Sequence, residues 1–206
     1  MANAARIRLD WLDIRQLAQS DVDMVAAMLP KRYEHAQVFL RKEDRLRSIG
    51  AGLLMLRLGL RDERDLEYGA RGKPSVAYLP SFNISHSGNY VVSAVAEEPN
   101  GAAQVAAVGV DVEHPRRGNL KVAKRVFLAE EIDWMQQEDP DLRFCRLWTC
   151  KEAVMKLFGE GLHMDPQSFS VMPLLRGGQL AVNGVEIHAV FDIREDHVLC
   201  AAFALR

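Results

Sequence analysis

Two acidic motifs with different periodicities constrain this chain more than any other feature of it. In Gly109-Val110-Asp111-Val112-Glu113 the carboxylates alternate with valines, so Asp111 and Glu113 leave the same face of a β-strand. In Trp148-Thr149-Cys150-Lys151-Glu152-Ala153-Val154-Met155-Lys156, the residues Trp148, Glu152 and Lys156 recur at i, i+4 steps on one face of a helix. Three carboxylates and a lysine converging on one spot would suit a hard cation and a phosphate. Each motif also has a plain structural reading. The strand can simply emerge into solvent at His114-Pro115, and a surface Glu152/Lys156 pair contributes only ~0.3–0.5 kcal/mol.

The surrounding pattern mixes both kinds of element. Ile7, Leu9 and Trp11 alternate with Arg8, Asp10 and Leu12, which predicts a half-buried strand. Ser20-Asp21-Val22-Asp23 reads as a helix start of capping-box type, and Pro30 marks a break. Over residues 31–58, Val38, Leu46, Ile49, Leu53 and Leu56 follow helical spacing, with Gly59 near the end. Residues 61–73 read as a charged loop. Residues 82–96 read as two strands around the turn Ser87-Gly88-Asn89, and a second turn at 97–101 leads to a strand over 105–112. Helical patterns follow at 121–127, 130–137 and 142–158, stopped by Gly159 and Gly161, and strands are expected at 169–171, 185–191 and 198–203. Each half thus runs strand, long helix, antiparallel strands. The expected class is α+β: two pseudo-symmetric lobes, 1–100 and 101–206, each a small antiparallel sheet packed with a long helix.

Composition limits the partners. The 206 residues carry a net charge of −2, which gives no global field for nucleic acid. An anionic ligand must be held by local basic groups. The three cysteines, Cys145, Cys150 and Cys200, match no zinc or redox spacing and read as packed thiols of a cytoplasmic protein. Cys150, beside Lys151, is expected to be somewhat reactive. No secretory signal or membrane-length apolar run is apparent.

Three further stretches offer such local groups. Asn83-Ile84-Ser85-His86-Ser87-Gly88 sets a histidine among small polar residues, suited to phosphate contact or to a structural hairpin. Gly72-Lys73-Pro74 combines a fixed loop with a lysine able to reach an anion. The mixed stretch from Lys31-Arg32-Tyr33 to Arg47 reads mostly as solvated helix charges.

Taken in order, these segments resemble the 4′-phosphopantetheinyl transferases. The likeness is to the longer, two-lobed kind typified by the surfactin-synthetase activator, and it covers about residues 30–172, carried also by Gly159-Glu160-Gly161-Leu162. The resemblance implies an active site at the lobe interface and Mg²⁺-dependent transfer of the phosphopantetheine arm of coenzyme A to a serine of an apo acyl or peptidyl carrier protein, with release of adenosine 3′,5′-bisphosphate. Mn²⁺ can substitute. Asp111, Glu113 and Glu152 match the metal-binding acids, and Lys156 the lysine near the pyrophosphate. His86 matches the histidine contacting coenzyme A phosphates, with Ser85 beside it. Lys73 and Pro74 match the pair bordering the adenine, and Arg47 an arginine at the 3′-phosphate, where Lys31 or Arg32 can assist. The N-terminal lobe would grip the nucleotide end and the C-terminal lobe the metal and carrier.

Glu152 acting through a water is one expected general base. Glu131, in a Phe-x-x-x-Glu-like segment, is the other. The stretch 116–125, with Arg116, Arg117, Lys121, Lys124 and Arg125, can dock an acidic carrier helix or can be an ordinary solvated helix. A monomer is expected, with neither nucleic acid nor membrane as partner. The competing reading is a non-catalytic coenzyme A or carrier-protein binding module, which would have lost the acids or the lysine that are present here.

Overall fold

A computed structural model describes residues 6–97, 105–115 and 120–205. The chain opens with strand β1 (Arg6–Asp13), then helices α1 (Gln19–Met28), α2 (Pro30–Gln37) and α3 (Lys42–Arg57). A two-residue ladder, β2 (Glu67–Tyr68) with β3 (Pro74–Ser75), precedes the hairpin β4 (Phe82–Ser87) and β5 (Tyr90–Glu97). The antiparallel order β1-β5-β4 makes the first sheet. Strand β6 (Val105–Glu113) is followed by α4 (Leu120–Val126), α5 (Ala129–Gln137) and α6 (Pro140–Phe158). Then come α7 (Met172–Leu175), β7 (Leu180–Val182), β8 (Val185–Arg194) and β9 (His197–Leu205). The second sheet runs β6-β9-β8-β7, again antiparallel. The architecture is α+β, with a long helix on each sheet. The expected joint near residue 100 falls outside the described residues.

Local expectations held where periodicity was unopposed and shifted where packing intervened. Helix α1 starts one residue before Ser20, with Ala18 as its N-cap: the Asp21 carboxylate reaches back to accept the Ala18 N–H at 2.9 Å. The expected single helix over 31–58 is two helices broken at 38–41. The reason is tertiary. The helices α1 and α2 fold back onto α3 at Gly52, where a Cβ would meet Arg32 Cδ at 2.8 Å and Val25 Cγ1 at 3.1 Å, and one straight helix cannot pack on itself. Residues 169–171 are not a strand. The Val171 N–H donates to Glu131 Oε1 at 2.9 Å and the Phe169 carbonyl accepts from Lys151 Nζ at 2.6 Å, so these groups are satisfied by buried side chains instead of a ladder. Strand β7 lay outside the sequence reading.

Strand β6 organises the molecule because its stretch from Val108 to Val112 is buried on both faces. Val108, Val110 and Val112 pack with Val92, Ala94 and Ala96 of β5 and with Leu199 and Ala201 of β9 in one apolar layer. Full burial of such side chains contributes about 1.5–3 kcal/mol for each valine. The opposite face meets α6 at Gly109, where a Cβ would stand 2.2 Å from the Ala153 carbonyl oxygen and 2.3 Å from Leu157 N. Only glycine lets the helix backbone come this close. Among the described residues no helix is long and apolar enough to cross a membrane.

Gly109→Ala is therefore expected to lower the unfolding free energy by about 3 kcal/mol. Urea denaturation followed by circular dichroism measures it. An unchanged midpoint would mean that α6 is free to move off the strand.

Candidate active site at the seam between the two sheets

Strand β4 lies along the edge of β6 and presents an alternating row of small polar side chains to it. Ser81 Oγ accepts the Val108 N–H at 3.2 Å and Asn83 Oδ1 accepts the Val110 N–H at 2.9 Å. Next along the row, Ser85 Oγ donates to Asp111 Oδ1 at 2.8 Å and Ser87 Oγ donates to Glu113 Oε2 at 3.1 Å. Two members of the row thus hold the β6 backbone and two hold its acids. The sequence carries the signal as polar residues at 81, 83, 85 and 87; Asn83, Ser85 and Ser87 fall in the stretch expected to contact phosphate, and Ser81 falls outside it.

Helix α6 closes the cluster from the other side. Lys156 Nζ donates to Asp111 Oδ1 at 2.5 Å and to Ser85 Oγ at 3.0 Å. Asp111 is only 4% exposed, and its Oδ2 has no hydrogen-bond partner among the described residues. Glu152, one turn before Lys156, has its carboxyl pKa raised above the ordinary value. Burial is the main cause, with Asp111 and Glu113 adding repulsion against the pull of Lys156. The structure thus brings Asp111, Glu113, Glu152, Lys156 and Ser85 to one place. Among the described residues no three His, Cys, Asp or Glu side chains stand at the spacing of a metal cage, and the Lys156 ammonium lies against Asp111. The donor set nevertheless fits a hard divalent ion: every acid offers oxygen, and Asp111 Oδ2 is a buried acceptor without a donor.

His86 sits beside Ser85 on β4, so its side chain leaves the opposite face of the strand. That face lines a cleft of about 470 Å³ whose walls include Arg32, His35, Phe39, Arg47, Tyr68, Pro74 and His86. Volume and lining suit a nucleotide-sized anion. Arg47 Nη1 donates to the Gly88 carbonyl at 2.6 Å, and its Nη2 pairs with Asp44. Partial burial and the positive charges of Arg47 and Lys156 hold the His86 pKa below the ordinary histidine value. Lys31 lines an adjoining cavity with Arg64, and its backbone N–H donates to Glu63 Oε2 at 3.0 Å. His35, Phe39 and Tyr68 belong to no motif in the sequence.

Other residues occupy unexpected places. Lys73 Nζ donates to Val108 O at 2.7 Å and Leu157 O at 3.0 Å, clamping the 69–76 loop to β6 and to the end of α6. Burial without an acidic partner pulls its pKa down to about 8. Pro74 lines the cleft. Glu131 is not placed to be a base. It is fully buried, its Oε2 is 3.0 Å from Lys151 Nζ, and it accepts the Leu128 and Val171 N–H groups. Cys150 is fully buried, so the reactivity expected beside Lys151 has no access. In the 116–125 stretch, 116–119 lie outside the described residues. On α4, Lys121, Lys124, Arg125, Leu120 and Val122 are exposed.

Comparison with known proteins gives the family. Residues 107–202 match the 4′-phosphopantetheinyl transferase superfamily. The chain is 31% identical to a 4′-phosphopantetheinyl transferase of Bacillus subtilis, over 91% of this chain and 88% of that one. It is 30% identical to the 4′-phosphopantetheinyl transferase Sfp of Bacillus subtilis strain 168, over 85% and 80% of the two chains. It is 34% identical to the 4′-phosphopantetheinyl transferase HetI of Nostoc, over 63% and 54%. The relatives define the class as a transferase, built on an α+β fold. The chain belongs to the 4′-phosphopantetheinyl transferase superfamily.

Two measurements check the scaffold around the site. Glu131→Ala leaves the Lys151 ammonium buried and unpaired, so stability is expected to fall by about 3–5 kcal/mol in chemical denaturation. The folded fraction should keep its turnover, and selective loss of turnover would return Glu131 to the list of bases. For Lys73, a folded pKa near 8 lies below the unfolded value of 10.5, so above about pH 8 the unfolded chain binds more protons. Stability of the wild type relative to Lys73→Met is therefore expected to rise from pH 8 to pH 10. A flat difference in thermal denaturation would contradict the burial of the ammonium.

Proposed function

We propose that the protein transfers the 4′-phosphopantetheine group of coenzyme A to a serine of an apo acyl or peptidyl carrier protein. One observation carries the reading: β4 separates an acid-and-lysine cluster from a cation-lined cleft by the thickness of one strand. A donor with a nucleotide at one end and a pyrophosphate in the middle reaches both.

In this reading the lobes divide the donor between them. Arg47, His86 and Arg32 hold the nucleotide phosphates, and Pro74 borders the base, its loop anchored by Lys73. Asp111, Glu113 and Glu152 would hold Mg²⁺ or Mn²⁺, which when bound supplies positive charge to the pyrophosphate oxygens. Lys156, one helical turn from Glu152, offsets charge on the same oxygens, with Ser85 fixing the ammonium. The carrier serine Oγ forms a bond to the β-phosphorus while the bond to the bridging oxygen breaks, and that oxygen leaves with adenosine 3′,5′-bisphosphate. Such a transfer depends on alignment and charge neutralisation more than on covalent help from the protein. The serine proton passes through a water to Glu152, whose raised pKa brings it closer to that of a working base. The carrier docks on α4, where exposed Leu120 and Val122 interleave with Lys121, Lys124 and Arg125. Three buried, unbridged thiols suit the reducing cytoplasm.

Mass spectrometry of candidate apo-carriers incubated with the protein, Mg²⁺ and coenzyme A tests the reading. A phosphopantetheine increment on a serine is expected, and Glu152→Gln should reduce its rate about 10²–10⁴-fold. Near-normal turnover of that variant at saturating Mg²⁺ would remove Glu152 as base. No increment on any carrier, with coenzyme A still bound, would favour the binding module.

A further inference from the structure

The turn between β8 and β9 reaches across the seam to the same β4–β5 turn that serves both halves of the site. His197, first residue of β9, is 4% exposed. Its ring stands edge-on to Tyr90 of β5 at 4.9 Å between centroids, and to His114, the residue after Glu113, at 5.0 Å. Its Nε2 lies so close to the Gly88 backbone that a Cβ there would approach to 2.7 Å. Asp196 stands between the two imidazoles, with Oδ2 2.5 Å from His114 Nε2 and Oδ1 3.0 Å from His197 Nδ1. Neither ring nitrogen of His197 makes an aligned hydrogen bond among the described residues. The β8–β9 hairpin is braced against the first sheet a second time, through Asp192 Oδ2 accepting from Trp11 Nε1 at 2.9 Å and Arg194 over the Trp11 ring at 5.3 Å.

We propose that His197 is a positioning residue: a wedge, held by Asp196, that sets the β4–β5 turn and thereby the spacing between the anion cleft and the acid cluster. The turn carries both connections. Gly88 offers its carbonyl to Arg47, and Ser87 holds the Glu113 carboxylate. Beyond the ion-pair contact of Nδ1 with Asp196, the ring acts here through its shape, filling the space between Gly88, Tyr90 and His114. Gly88, at φ +54°, is left no room for a side chain by that ring. Removing the wedge frees the turn to sink toward β9, which moves Arg47 and Ser87 together. The inference rests on the proposed coenzyme A transfer only for what Arg47 and Glu113 bind.

The test compares wild type, His197→Ala, His197→Phe and Gly88→Ala. The readouts are calorimetric binding of coenzyme A, Mg²⁺ half-saturation of transfer, KM for coenzyme A and carrier, kcat, and thermal unfolding. His197→Ala is expected to weaken coenzyme A binding and raise Mg²⁺ half-saturation about tenfold each, with carrier KM within about twofold. His197→Phe, which restores shape without nitrogens, should recover most of both, and Gly88→Ala should reproduce the defect. A lower melting temperature in His197→Ala with unchanged coenzyme A and Mg²⁺ dependence would overturn the wedge and leave a stabilising residue. Failure of His197→Phe to recover binding would equally overturn a role through shape, and this arm stands even where His197→Ala does not fold. Absence of transfer by the wild type would sink the functional reading, while the calorimetric arm would still decide the wedge.

Discussion

A carboxylate buried to 4% exposure has to be compensated, and the compensation of Asp111 ties the two sheets and the long helix into one arrangement. Its Oδ1 takes a hydroxyl from β4 and an ammonium from α6. Neither donor can move away without leaving charge stranded in the seam. The same strand buries its valines against β5 and β9, and gives its free-edge N–H groups to Ser81 and Asn83. Polar satisfaction and apolar packing therefore demand the same register between β4 and β6.

A second buried pair does for the C-terminal half what Asp111 does for the seam. Glu131 and Lys151 are both fully buried and bonded to each other and to backbone groups of α5 and of 166–171. Burial draws the Lys151 pKa down while Glu131 draws it up. The motif around Trp148–Lys156 thus carries two lysines with opposite duties. Lys151 points into the core, and Lys156 points into the seam five residues on. Helical geometry separates them onto different faces, so one short stretch serves both the scaffold and the site.

Much of this was legible in the sequence. Period-2 alternation gave β1, the β4–β5 hairpin and β6, and i, i+4 spacing put Glu152 and Lys156 on one face of α6. The errors fall where long-range contacts overrode local pattern. The break between α2 and α3 depends on packing at Gly52. The loss of the strand at 169–171 depends on two side chains from distant helices. Glu131 looked like a base because its segment fits a pattern. That pattern records a helix cap and a buried pair, which spacing alone does not distinguish from catalysis.

By itself the sequence determined which residue types stand where along each element: acids alternating on a strand, a glutamate and a lysine on one helix face, small polar groups every second position on β4. It also determined the family. Only the tertiary structure decided what those groups face. Adjacent residues of β4 must point to opposite sides, so Ser85 meets the acids while His86 meets the cleft. Lys73, expected at a nucleotide, gives its ammonium to the main-chain carbonyls of Val108 and Leu157, which tertiary packing brings to it. Contacts of this kind join residues far apart in the chain, and no local periodicity encodes them.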